Sequence, residues 1–150
     1  MLENVEDLIW VNAHTPPIEI TIYIYINTDL QKLESISKFQ VPEFIESGFQ
    51  ESLLVSRWSI PTREEMESYR KDSSVFNARS GNVMVDELLL SDCVVRHHMT
   101  GLSIDGKDVD LERDEDSFLT VEALKKLKSM HSGLYDLMYG TYKTEACLFI

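Results

Sequence analysis

The stretch DCVVRHHM brings Asp92, Cys93, His97 and His98 together, the densest set of potential ligands and nucleophiles in the chain. On a helix, Cys93 and His97 lie four residues apart and share a face, which zinc would accept as two corners of a tetrahedron. A second ligand pair is then required. Only His14 and His131 remain, and neither has a neighbour at ligand spacing. The spacing therefore argues against a complete zinc site, and a metal-dependent enzyme using Cys93, His97 and His98 stands as the third reading, behind two non-enzymatic ones. A catalytic Cys93 thiol would need an adjacent base and a lowered pKa. Val94 and Val95 beside it indicate a packed helix instead.

The second concentration of chemical groups is GLSIDGKDVDL and the acidic residues after it. Placing Gly106 at the turn glycine of a calcium-binding EF-hand loop puts Glu112 at the closing position. The same alignment puts Gly101 at the first ligand position and Asp108 where an apolar residue belongs, so the match fails. Asp105-Gly106 between two alternating runs predicts a β-hairpin over 102–111. Asp110, Glu112, Asp114, Glu115 and Asp116 read as a solvated acidic loop, with a loose cation site as the sharper alternative. The chain contains no phosphate-binding glycine loop, no dinucleotide fingerprint and no nucleophile elbow. No pair of carboxylates stands out from the general acidity for glycoside chemistry. No catalytic residue, no cofactor and no metal are expected, and the protein reads as a non-enzyme.

The elements that would position these groups belong to a chain of 150 residues, 43% hydrophobic and 27% charged, a balance suited to one globular domain over 1–150. The formal net charge of −12 excludes a nucleic-acid backbone binder, which needs clustered Lys and Arg. Cys93 and Cys147 are far apart, each in an apolar-periodic stretch, and read as free thiols in a reducing cytoplasm. The segment MLENVEDLIWV has acids where a signal peptide has bases, and no apolar run approaches the roughly 20 residues needed to span a bilayer. A cytoplasmic protein without membrane segments is expected.

Residues 18–26, IEITIYIYI, alternate strictly. Ile18, Ile20, Ile22, Ile24 and Ile26 form one face, and Glu19, Thr21, Tyr23 and Tyr25 the other. Pro16 and Pro17 mark the start of that strand. NTDLQKLESISKF reads as a helix capped by Thr28 or Asp29, and Pro42 to Gly48 as one further helical turn. ESLLVSRWSI, 51–60, is a second strand. A helix follows over 63–71, then a polar loop with a flexible break at 72–82. Residues 83–99 read as a helix buried on a wide face. Two helices close the chain, the first capped by Thr120 with Val121, Leu124 and Leu127 inward. The second starts near Ser132, with Leu134, Leu137, Met138, Tyr142 and Phe149 inward. Strands before helices argue for an α+β fold with a small, mostly antiparallel sheet and a C-terminal helical pair.

In SRWSIPTREEMESYR, residues 56–70, Thr62 and Glu65 have the capping-box spacing, and Pro61 holds Ile60 extended. Backbone chemistry accounts for every residue of this corner except Trp58. Alternation places Trp58 with Ile60, on a face that is either core or interface.

The pieces from Trp58 to Glu65, from Glu87 to Val94 and from Leu134 to Leu148 carry a resemblance. An apolar strand entering a PT-x-x-E helix start, a helical ELLLSDCV and a closing L-x-x-L…Y-x-x-E helix resemble small tail assembly chaperones and baseplate hub assembly proteins of contractile-tailed bacteriophages. The match covers about half of the chain, from residue 55 onward. It implies a non-enzymatic protein that binds other tail or baseplate proteins, in the host cytoplasm during assembly or in the virion itself. Tyr23, Tyr25, Trp58 and the apolar terminus Leu148, Phe149 and Ile150 are the candidate partner-binding residues; the terminus packs on its own core or docks into a partner. The competing class is an acidic inhibitor or immunity-type protein covering a basic surface, since residues 105–116 hold seven acids against two bases.

Overall fold

In the computed structural model, the described residues are 15–27, 32–35, 48–130 and 133–146. Among them a five-stranded antiparallel sheet has the order β2-β1-β3-β6-β7. Its strands are β1 (Ile18–Asn27), β2 (Lys32–Ser35), β3 (Gln50–Trp58), β6 (Met99–Ile104) and β7 (Lys107–Asp108). Helices α1 (Arg63–Asp72), α2 (Glu87–His98), α3 (Val121–Lys128) and α4 (Leu134–Glu145) accompany it. A separate hairpin of β4 (Ser74–Asn77) and β5 (Asn82–Val85) stands between α1 and α2. The fold is α+β with an antiparallel sheet, as the order of patterns in the sequence predicts.

Alternation along β1 decides which face is covered. Ile20, Ile22 and Ile24 are buried, and they sit across from Ser56, Leu54 and Ser52 of β3. Helix α4 packs on β1, while α2 packs on α1, α3 and β6. The shared core gathers the three isoleucines with Leu54, Trp58, Val94, Val95, Met99, Leu119, Leu127, Met138 and Tyr142. Burying an aliphatic side chain of this kind contributes about 1.5–3 kcal/mol relative to leaving it exposed.

Local chemistry sets the corners. Thr62 Oγ1 accepts from the Glu65 N–H at 3.1 Å and Glu65 Oε1 accepts from the Thr62 N–H at 3.0 Å, the reciprocal capping box expected at α1. Replacing Thr62 with alanine should cost about 1 kcal/mol by urea unfolding, with an unchanged m-value. Thr120 caps α3 through the Ala123 N–H as expected. At the β6–β7 turn, Asp105 and Gly106 take φ of 51° and 82°, the left-handed pair that a tight hairpin requires. The predicted hairpin therefore forms, although its second strand is only Lys107–Asp108.

Several expectations are corrected. The helix read into NTDLQKLESISKF is, where described, strand β2, registered against β1 from Ile24↔Ser35 to Asn27↔Lys32. Pairing with a ten-residue partner strand overrides the helical preference of Leu, Glu and Lys. The polar loop with a break at 72–82 is instead the β4–β5 hairpin, paired from Ser74↔Val85 to Asn77↔Asn82. The helix read over 83–99 begins at Glu87, because Asp86 accepts from the Leu88 and Leu89 N–H groups and fixes the start there. It ends at His98, and Met99 opens β6. The cap of α4 is Gly133 at φ 88°, with no side-chain hydrogen bond, and Leu137 faces outward. Val121 of α3 is exposed, its place in the core taken by Ala123. The predicted caps Thr28, Asp29 and Ser132, the turn begun at Pro42, and Cys147 lie outside the described residues.

Candidate functional site

Two of the residues expected to meet a partner are enclosed. Trp58 is fully buried, stacked on Tyr142 at 4.2 Å between ring centroids and 14° between planes. Its indole N–H donates to Ser56 Oγ at 2.8 Å. It shares the Ile20 and Ile22 face, because β1 and β3 pair Ile18 with Trp58 and Ile20 with Ser56. Tyr25 is likewise enclosed and donates from its hydroxyl to Glu51 Oε2 at 2.9 Å. Trp58 therefore belongs to the packed core, while Tyr25 is enclosed on the other face of the sheet, outside that core. Tyr23 is half-buried. Leu148, Phe149 and Ile150 lie outside the described residues.

The Cys93–His97–His98 set diverges. His97 Nδ1 donates to the Cys93 carbonyl oxygen at 2.7 Å, one helical turn back, with the Cys93 sulfur 3.7 Å away. His98, on the neighbouring face of α2, reaches Ser59 and Tyr69, and the His97 ring stacks on the same Tyr69 at 5.1 Å between centroids. Burial and then the nearby Asp72 push the Cys93 thiol up, the reverse of what an activated nucleophile needs. Asp92 receives Lys128 Nζ at 2.8 Å and the Tyr135 hydroxyl at 3.0 Å, tying α2 to α3 and α4. Among the described residues no three His, Cys, Asp or Glu side chains are grouped as a metal would need.

What the junction builds is a hydrogen-bonded chain around His98. Ser59 Oγ lies 2.9 Å from Nδ1, Tyr69 Oη lies 2.8 Å from Nε2, and Tyr69 Oη lies 3.3 Å from Glu65 Oε2. The Glu65 carboxylate can only accept, so the donor order follows: Tyr69 to Glu65, Nε2–H to Tyr69, Ser59 to Nδ1. Burial holds the imidazole down to about 4, against a smaller opposing effect of the Glu65 carboxylate, so it is neutral at pH 7. A serine beside a neutral histidine is the pairing that nucleophilic catalysis uses. Here, however, the Ser59 N–H donates to the His98 carbonyl at 2.9 Å, and the Ser59 carbonyl accepts from Tyr142 Oη at 2.7 Å. The main chain of Ser59 is thus spent closing β3 onto α2 and α4, and its N–H is not free to hold an oxyanion. The chain fastens three helices to the end of one strand. Nothing local marks it in the sequence, since Ser59 and His98 are 39 residues apart.

The acidic connection after β6 is partly used by its own fold. Asp105 accepts from the Leu53 N–H and from Ser52 Oγ, bracing β3. Asp114 Oδ1 accepts from the Asp116 and Phe118 N–H groups, and its other oxygen pairs with Arg96 at 3.4 Å. Asp108, Asp110, Glu112, Glu115 and Asp116 remain exposed.

No protein family, curated protein or solved structure matches the chain. Among the described residues no helix is long and apolar enough to cross a membrane.

The open apolar surface lies on the β4–β5 hairpin and the helix start that follows it. Phe76 and Val83 are each 68% exposed, and Leu88 is 74% exposed; Val75, Met84 and Leu89 are exposed beside them in the chain. Phe76 and Val83 face each other across one side of the hairpin, and Val75 and Met84 across the other. The sequence signal was SVFN and NVMV flanking a four-residue turn, short enough to be masked by the surrounding Ser and Asn.

Proposed function

We propose that the protein works by binding another protein, in the role that the resemblance to phage tail and baseplate assembly proteins implies. The observation that carries this reading is the cluster of Val75, Phe76, Val83, Met84, Leu88 and Leu89. A two-stranded hairpin is marginal in water by itself, and this one exposes apolar side chains on both faces. A surface of this kind contributes to association through a few central aromatic and aliphatic anchors.

The test is co-purification with tail-tube, hub and tape-measure proteins, comparing the wild type with a variant carrying Phe76→Ser and Leu88→Ser. Both side chains are exposed, so stability should change by no more than about 0.5 kcal/mol per site. Partner affinity should fall by about tenfold or more. Undiminished affinity in the variant, or no complex with any of these proteins, would reject the reading.

A further inference from the structure

We propose that a second copy of this chain adds to the outer edge of β5, the two β5 strands running antiparallel about a two-fold axis at Val83. This goes beyond the reading above, because it uses the backbone edge of the hairpin and not the exposed side chains of Phe76 and Leu88.

The hydrogen-bond pattern sets which backbone groups are open. Asp86 donates its N–H to the Ser73 carbonyl at 2.8 Å, which makes 73 and 86 a hydrogen-bonded pair of the ladder. In antiparallel pairing such pairs alternate with pairs whose N–H and C=O groups point away from each other. The register runs from Ser74↔Val85 to Asn77↔Asn82, so the inward pairs are Val75–Met84 and Asn77–Asn82. Ser74 and Phe76 on β4, and Val83 and Val85 on β5, therefore turn their N–H and C=O groups outward. Neither edge has a further strand beside it among the described residues. Neither strand carries a lysine, a proline or a bulge, the usual protections of an edge.

Charge positions choose between the two edges. Arg70, Lys71 and Asp72 precede β4, Arg79 sits in the turn, and Asp86 and Glu87 follow β5. The total is neutral, but it is divided by edge: the base is net basic on the β4 side and acidic on the β5 side. Antiparallel pairing of two β4 strands brings the Lys71 end of each to the Arg79 turn of the other, and like charges meet twice. Pairing of two β5 strands brings the acidic end of each to that same basic turn. With Val83 opposite Val83 of the second copy, Gly81 lies opposite Val85 and Arg79 comes abreast of Glu87, at both ends by symmetry. Neither the Arg79 guanidinium nor the Glu87 carboxylate has an ion-pair partner among the described residues. Phe76 already sits across from Val83 within the hairpin. The same register therefore sets Phe76 and Val83 of both copies in one row on a four-stranded sheet, where the lone two-stranded hairpin is marginal.

An interface of two short edges belongs to the small class that dissociates on dilution, so sedimentation velocity of the full chain over a concentration series at low salt reads it. The wild type should move from monomer toward dimer as its concentration rises to about 1 mM. Arg79→Glu and Glu87→Arg should each weaken the dimer by about threefold to tenfold, since each sets like charges together at both ends. An equimolar mixture of the two variants should recover the wild-type affinity, because every residue 79 then meets its opposite at 87. Both positions are exposed, so the substitutions leave the fold in place. Val83→Pro removes an outward N–H, spares the hairpin's own ladder and should abolish the dimer. A wild type that stays monomeric throughout, a mixture that associates no better than its components, or a dimer indifferent to Val83→Pro overturns the proposal. The tail-protein test is read separately, with Phe76→Ser and Leu88→Ser, and stands or falls without these results.

Discussion

Replacing Trp58 with alanine should lower the unfolding free energy by about 3–5 kcal/mol, a large fraction of the roughly 5–15 kcal/mol available to a domain of this size. Three losses combine. The indole leaves a cavity at the meeting of β3 and α4, in a core where Trp58 and Tyr142 are both fully buried. The stacked ring pair, at 4.2 Å, disappears. Ser56 Oγ, also fully buried, loses the indole N–H that it accepts. Trp58→Phe separates the contributions, because it keeps an aromatic ring against Tyr142 but removes the donor to Ser56. Its cost should fall to about 1–3 kcal/mol. Guanidinium unfolding monitored by far-UV circular dichroism measures both. A cost under about 1 kcal/mol for Trp58→Ala would mean that the indole lies at a surface, as a partner-binding role would require.

Acidification should weaken the fold through His98. In the folded protein the imidazole stays neutral down to about 4, because it is buried beside His97 and only partly compensated by the Glu65 carboxylate 3.8 Å away. In the unfolded chain it titrates near 6.5. Between those values the unfolded state binds a proton that the folded state does not. Stability therefore rises with pH across this window. The contribution is complete above pH 6.5 and is lost as pH falls toward 4, an effect of about 3 kcal/mol. His98→Gln removes the titration and also disturbs the bonds to Ser59 and Tyr69. The variant should be less stable at pH 7, yet its stability should vary less than that of the wild type between pH 6.5 and 4.5, since the carboxylates are common to both proteins. Parallel pH profiles for wild type and variant across that window would show that His98 titrates normally and is open to water.

The parts of the fold that were legible in the sequence are those written in adjacent residues. The isoleucine alternation of β1, the Thr62–Glu65 box and the Asp105-Gly106 turn depend on neighbours within a few positions, and each appears where its pattern places it. Strand β2 was misread because Leu, Glu and Lys prefer helix locally, while its state is decided by hydrogen bonds to β1. The β4–β5 hairpin was misread because four-residue strands give almost no periodicity, and its polar turn dominates the composition. For the site the balance is harsher. Alternation fixed which residues share a face with Trp58 but not which face α4 would cover, so an inward indole was offered as a contact residue. The His98 chain joins Ser59, just past the end of β3, to residues of α1 and α2 through tertiary packing alone. Of the segments Trp58 to Glu65, Glu87 to Val94 and Leu134 to Leu148, the first is the capped corner, the second the start of α2, and the third, as far as Glu145, helix α4.

The hairpin is closed at its base by the Asp86 N–H donating to the Ser73 carbonyl at 2.8 Å. Ser73 is also the residue that ends α1, and Asp86 the one that begins α2. The chain thus leaves and re-enters the scaffold at adjoining points, each already stabilised by helix-terminal hydrogen bonds. Residues 74 to 85 consequently enter and leave at one point, so a change of length at the 78–81 turn reaches the core only through Val85, the hydrophobic of this excursion that packs against it.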